Sequence, residues 1–194
     1  MRLCTGITAA VVAAAALTGV LTACSSEPGD TATPTIQEET MSSRLTEADA
    51  RAAVEKYLSG TLAVLPPQIS FSLQHPSAAH ARLSGGGSVP CNDADFGPDV
   101  DLTFGVQYWV IGVPESETAR YLSVFEDAWQ RQGWSTDTST DDGPGRHVRA
   151  LAPDDYRFIV TDNGQGILTV GASSPCFPGG TRDGGSMPTD ITHP

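Results

Sequence analysis

The stretch Val100–Ile111, "VDLTFGVQYWVI", decides the fold. Val100, Leu102, Phe104, Val106, Tyr108 and Val110 fall on one side of an extended chain, and Asp101, Thr103, Gly105 and Gln107 on the other. Strict alternation of apolar and polar residues is the period of a strand with one face buried and one open. A strand this long needs partners along both edges and a layer to cover its apolar face. The flanking sequence therefore has to supply helices and further strands.

It supplies both. Upstream, "LTEADARAAVEKYLSGTLAVL" (45–65) places Ala50, Val54, Tyr57, Leu58 and Leu62 on one helical face. Thr46 is positioned as the cap, with Glu47 and Asp49 in the first turn, where the helix dipole favours acids. Pro66 and Pro67 end it, because proline lacks the N–H that a helix needs. "QISFSLQ" (68–74) then alternates Ile69, Phe71 and Leu73 against Ser70, Ser72 and Gln74, a second half-buried strand. Downstream, Pro114, Glu115 and Glu117 open a second helix with an apolar stripe of Tyr121, Leu122, Val124, Phe125, Ala128 and Trp129. Arg131 and Gly133 close it.

The rest reads as strands: "WSTDTST" (134–140), "HVRAL" (147–151), "YRFIV" (156–160) and "ILTV" (167–170). "DDGPG" (141–145) is a turn, and Asn163-Gly164 between two alternating runs is a hairpin signal. Trp109 points away from the apolar row of its strand, where it is either exposed for a partner or capped by a loop; the cap is the favoured expectation. This order predicts an α+β domain: a two-layer sandwich in which an antiparallel sheet of four to six strands carries two helices on one face. We place that single domain at residues 44–177. The stretch 178–194, "PGGTRDGGSMPTDITHP", is rich in Gly and Pro without periodicity and is expected to be a disordered tail.

At the other end, Met1-Arg2, an Ala- and Val-rich run to Val20, and small residues before Cys24 have the pattern of a secretory signal. Leu21-Thr22-Ala23-Cys24 resembles the lipobox of bacterial lipoproteins. The resemblance implies that a diacylglycerol is attached to Cys24 and that residues 1–23 are removed as a signal peptide. It further implies a membrane partner reached through the lipid. One acyl chain holds a protein to a bilayer only marginally, whereas two or three anchor it stably. Residues 24–43 would then comprise the lipidated cysteine and a tether of Ser, Thr, Pro, Glu and Gly, too poor in apolar surface to order itself.

The four cysteines follow from this address. Cys4 lies in the signal and Cys24 takes the lipid, which leaves Cys91 and Cys176 in an oxidising compartment that favours pairing them. The alternative, a two-cysteine metal site, lacks a second Cys or His at the short spacing that zinc needs. Charge narrows the partners. The chain carries −12, with Lys56 as its one lysine, and loss of residues 1–23, which hold Arg2 and no acid, leaves −13. So acidic a domain has no electrostatic footprint for nucleic acid.

Candidate chemistry is sparse. Asp93, Asp95, Asp99 and Asp101, with Asn92 and Gly97 among them, invite a calcium reading, but they lack the regular spacing and closing Glu of an EF-hand loop. His75 and His80 flank a loop, His147 begins a strand beside Arg149, and His193 lies near the C-terminus; none forms an i, i+2 or i, i+4 metal pair that the pattern supports. Ser84 and Ser88 sit in "LSGGGS" without the strand-turn-helix setting of a nucleophile elbow. Taken together, the lipobox, the polar tether, "GW" (133–134) after a helix, a late hairpin and "SSPCF" (173–177) make the chain similar to small actinobacterial envelope lipoproteins of the LppA-like type. That resemblance implies an envelope location and a two-layer α+β fold, and it brings no catalytic residues, metal or cofactor. The reading is a lipid-anchored envelope protein with a non-catalytic binding or accessory role, its partner another envelope protein. The alternatives are a secreted hydrolase using His75, His80 or the acidic loop, and a calcium-stabilised binding domain.

Overall fold

The computed structural model describes residues 45–77, 80–92, 97, 99–138 and 145–194. The signal, Cys24, the tether, the 141–144 turn and, in the acidic loop, Asp93 and Asp95 lie outside them. The elements run α1 (Glu47–Val64), β1 (Ser70–Ser72), β2 (Gly87–Pro90), β3 (Asp101–Ile111), α2 (Thr118–Arg131), β4 (Ser135–Asp137), β5 (Arg146–Leu151), β6 (Arg157–Asp162), β7 (Leu168–Ser173), β8 (Phe177–Pro178) and β9 (Asp190–Ile191). The class is α+β, with a nine-stranded sheet ordered β4-β5-β6-β7-β3-β1-β9, β2 and β8 also pairing with β3. Every pairing is antiparallel.

Strand β3 is the axis. Its register gives Gly105 two partners, Ser173 of β7 on one side and Gly87 of β2 on the other. Leu102 likewise lies between Phe177 of β8 and Pro90 of β2. Strands β7 and β8 are thus one line interrupted at 174–176, where the Ser174 hydroxyl accepts from Phe104 N–H at 3.0 Å. The alternation is realised: Leu102, Phe104, Val106, Tyr108 and Val110 are buried, as are Val148, Ala150, Phe158, Val160, Leu168, Val170 and Ala172 on neighbouring strands.

Both helices cover this one face. Helix α1 opens on a capping box between Thr46 and Asp49 and buries Ala50, Val54, Leu58 and Leu62. Helix α2, entered through a short 3-10 turn at Glu115–Glu117, buries Tyr121, Leu122, Phe125, Ala128 and Trp129. Phe71 stacks on Phe125 at 6.2 Å, and Trp134 lies 4.9 Å from Phe158. Each such ring contributes roughly 1.5–3 kcal/mol by leaving water. The Trp129 indole N–H donates to the Thr61 hydroxyl at 3.2 Å, so its polar atom is satisfied inside the core.

Two expectations are corrected. The sheet has nine strands rather than four to six, because β2, β8 and β9 carry no readable alternation; each is held by its ladder with a stronger neighbour. Residues 178–194 are not a disordered tail. Met187 and Ile191 are buried, β9 pairs with β1, and the backbone of Leu73 donates to Thr189 O at 2.8 Å. The absence of periodicity there reflects a strap held by isolated anchors, not by a face.

The turn after β3 yields a prediction. Gly112 has φ +90°, and a Cβ placed there would fall 2.0 Å from Gln68 O, a backbone atom. A side chain is therefore excluded by both conformation and space. Gly112→Ala is expected to lower stability by about 2 kcal/mol or more. Chemical denaturation reads this directly, and an unchanged midpoint would refute the account.

Candidate functional site

The face of the sheet opposite the helices is where side chains meet solvent. Its β3–β1 end is closed by the loop after β1. Trp109 Nε1–H donates to Ala81 O at 3.0 Å, and the His75 ring meets the Trp109 indole edge to face at 5.3 Å. The loop thus covers Trp109, the cap rather than the exposed alternative.

The other end is open. A groove of about 680 Å³ crosses β4, β5, β6, β7 and β3. That size lies in the range of small-molecule sites. Two successive rows of the ladder build it. One runs Ser135, Leu151, Arg157, Ser173, Gly105; the next runs Asp137, Arg149, Ile159, Gly171, Gln107. Gly105 and Gly171 form the floor, bare at Gly105 and covered by the Ile159 side chain at Gly171. A Cβ at Gly105 would have nothing nearer than Ala172 O at 3.8 Å. Glycine inside a strand often marks a close approach by a ligand or another backbone. Leu151, 41% exposed, and Ile159 supply apolar walls. Arg149, Arg157, Asp137 and Asp155 bring charge of both signs to the lining.

The residues singled out from sequence fall elsewhere. Cys91 and Cys176 are bonded, with Cα atoms 6.1 Å apart. Cys91 follows β2 and Cys176 sits in the break between β7 and β8, so the bond spans the two neighbours of β3 rather than an outer edge of the sheet. Asp99 and Asp101 are exposed. His75 accepts from Ser77 N–H through Nδ1 at 3.2 Å, His80 and Ser84 are exposed, and His193 lies with Nε2 3.2 Å from Leu65 O. The Ser88 hydroxyl donates to the Glu47 carboxylate. These histidines and serines are not brought into one constellation. Among the described residues no group of three or more His, Cys, Asp or Glu could hold a metal, and no helix is long and apolar enough to cross a membrane.

Sequence reading missed both the groove and a buried polar node. The groove's signal was the pair of glycines at outward positions, Gly105 and Gly171, whose alignment only the register reveals. The node centres on Glu47, 2% exposed, whose carboxylate accepts from the Ser88 hydroxyl and from Asp183 and Gly184 N–H. Beside it Arg51 grips Asp183 through both guanidinium nitrogens, at 2.8 and 2.9 Å.

No family model matches the chain, and no curated protein or solved structure does.

Proposed function

We propose that the chain is a lipid-anchored envelope protein whose domain binds a small ligand in the groove on the open face of its sheet. The observation that carries this is the groove itself: about 680 Å³, with a glycine floor, two apolar walls and charged lining residues. A face that had only to be solvated would carry side chains where Gly105 and Gly171 stand. The address rests on the sequence around Cys24, and the Cys91–Cys176 bond supports an oxidising compartment. No residue set in the groove combines a nucleophile with a base in the way covalent catalysis requires, so binding is the reading the lining favours.

Two measurements on the full-length protein purified from envelope membranes test this. Mass spectrometry of the N-terminal peptide is expected to find Cys24 as the first residue, carrying a diacylglyceryl group. Retention of Met1 would overturn the address. Native mass spectrometry is expected to find a co-purified small molecule that is lost in Gly105→Val. The variant adds an isopropyl group to the floor, in backbone that accepts a β-branched residue, so folding should be retained. An adduct of equal occupancy in the variant would overturn the assignment of the site.

A further inference from the structure

The lining of the groove goes further than its existence and points to one chemistry. Arg157 and Ser173 face each other across β6 and β7 in the row that also holds Leu151 and Gly105. Directly opposed residues of an antiparallel pair have Cβ atoms about 4.5–5.5 Å apart. From side chains whose Cβ atoms stand that close, a guanidinium and a hydroxyl can both reach and donate to the two oxygens of one anion.

Arg157 is available for this role. Arg51, Arg120 and Arg146 are each paired with a carboxylate, and Asp137 stands opposite Arg149 in register. Among the described residues no carboxylate reaches Arg157 within ion-pair distance. In a chain with 23 acids against 11 bases, an arginine left over beside an apolar floor is complementary to an incoming negative charge. Asp137 and Asp155 line the same groove and oppose a second one.

The floor sets the shape of the remainder. Gly105 exposes its peptide plane with no side chain above it, the Ile159 side chain lies over Gly171, its Cγ2 3.0 Å from where a Cβ there would stand, and Leu151 borders the area. A flat apolar ring system can lie on such a surface, whereas a branched or globular body would meet the walls first. We infer that the groove binds a monocarboxylate on a flat, fused-ring body, with Arg157 and Ser173 holding the carboxylate and the ring lying over Gly105 against the Ile159 side chain. This rests on the reading of the groove as the ligand site.

The test uses the full-length protein and three probes: pyrene-1-carboxylate, its neutral counterpart 1-pyrenemethanol, and inorganic phosphate. Fluorescence titration is expected to show saturable binding of the carboxylate, with the alcohol at least about tenfold weaker, since a charge-assisted contact is lost. Arg157→Gln should raise the Kd for the carboxylate by about tenfold or more and leave that for the alcohol unchanged. Gly105→Val should abolish binding of both ring probes, with circular dichroism confirming the fold. Phosphate should not compete. Equal affinity for acid and alcohol, or a carboxylate Kd indifferent to Arg157→Gln, would overturn the inference. If neither ring probe binds while Gly105→Val still strips the co-purified molecule, the carboxylate assignment falls and the groove remains the ligand site. If that molecule also survives the variant, both fall.

Discussion

Serine at both Cys91 and Cys176 is expected to cost about 2–4 kcal/mol of stability, and to loosen β2 from β3 first. The bond closes a loop across 85 positions. For that separation the chain-entropy model gives up to about 4.6 kcal/mol, and native bridges usually deliver less. The local consequence follows from strand length. Strand β2 has four residues and its Val89 is 57% exposed, so little apolar burial holds it to β3, whereas the two-residue β8 is also fixed by the fully buried Phe177. What remains for β2 without the bond is its ladder, the Cys91 N–H to Asp101 O contact at 2.9 Å and the Ser88 contact to Glu47. In the double-serine variant, amide exchange at 87–89 should speed up before the β5–β6–β7 ladder changes. A melting temperature equal to that of the parent would mean that the bond is incidental to the fold. Reduction of the native protein should reproduce the variant.

The difference between what the sequence revealed and what it hid follows from how each part is held. Strands β3, β6 and β7 bury one full face, so hydrophobic alternation writes them into the sequence. Helices α1 and α2 do the same with a helical stripe and carry their own stop signals. Strand β2 contributes backbone groups to a ladder and little apolar surface, and β8 and β9 each bury a single residue, Phe177 and Ile191; "GSVP" and "DI" have no period to read. The strap that ends in β9 depends on single long-range contacts, such as the Tyr108 hydroxyl donating to Pro188 O at 2.8 Å. No local pattern announces a partner 80 residues away. The groove was hidden for a related reason. Its residues are the outward members of five strands, and each looks like an ordinary solvent-facing position until the register sets Gly105 beside Ser173 and Ser173 beside Arg157. Glu47 was legible only in part: its place in the first turn, where the dipole favours acids, is as read, but nothing local shows that its carboxylate turns inward to hold the strap.

That inward carboxylate gives the second large effect. Glu47→Ala is expected to lower stability by about 3 kcal/mol, because it leaves the Asp183 and Gly184 N–H groups and the Ser88 hydroxyl without their acceptor. For a folded part of this size the melting temperature should fall by roughly 6–12 °C. Protection of amides at 183–191 should drop further than protection in β5–β7, since the strap loses its anchor while the central sheet keeps its core. Glu47→Gln keeps one acceptor oxygen and the shape, and should recover about half of the loss. Arg51→Ala should cost less, about 1 kcal/mol, because its partner Asp183 is exposed and water replaces part of the contact. Acid reports on the same node. The Arg51 guanidinium, with help from Gly185 N–H, holds the Asp183 carboxyl well below the usual carboxylate range. A carboxyl whose pKa is lower in the folded state stabilises the fold fully above its unfolded value near 3.9 and loses that contribution as pH falls toward the folded one. The strap should therefore keep its protection down to about pH 4 and lose it progressively below, and Asp183→Asn should flatten this part of the profile. An Asp183→Asn protein with the parent's acid dependence would show that some other carboxylate governs the strap. Glu47→Ala without loss of protection at 183–191 would show that Met187 and Ile191 alone suffice to hold the strap in place.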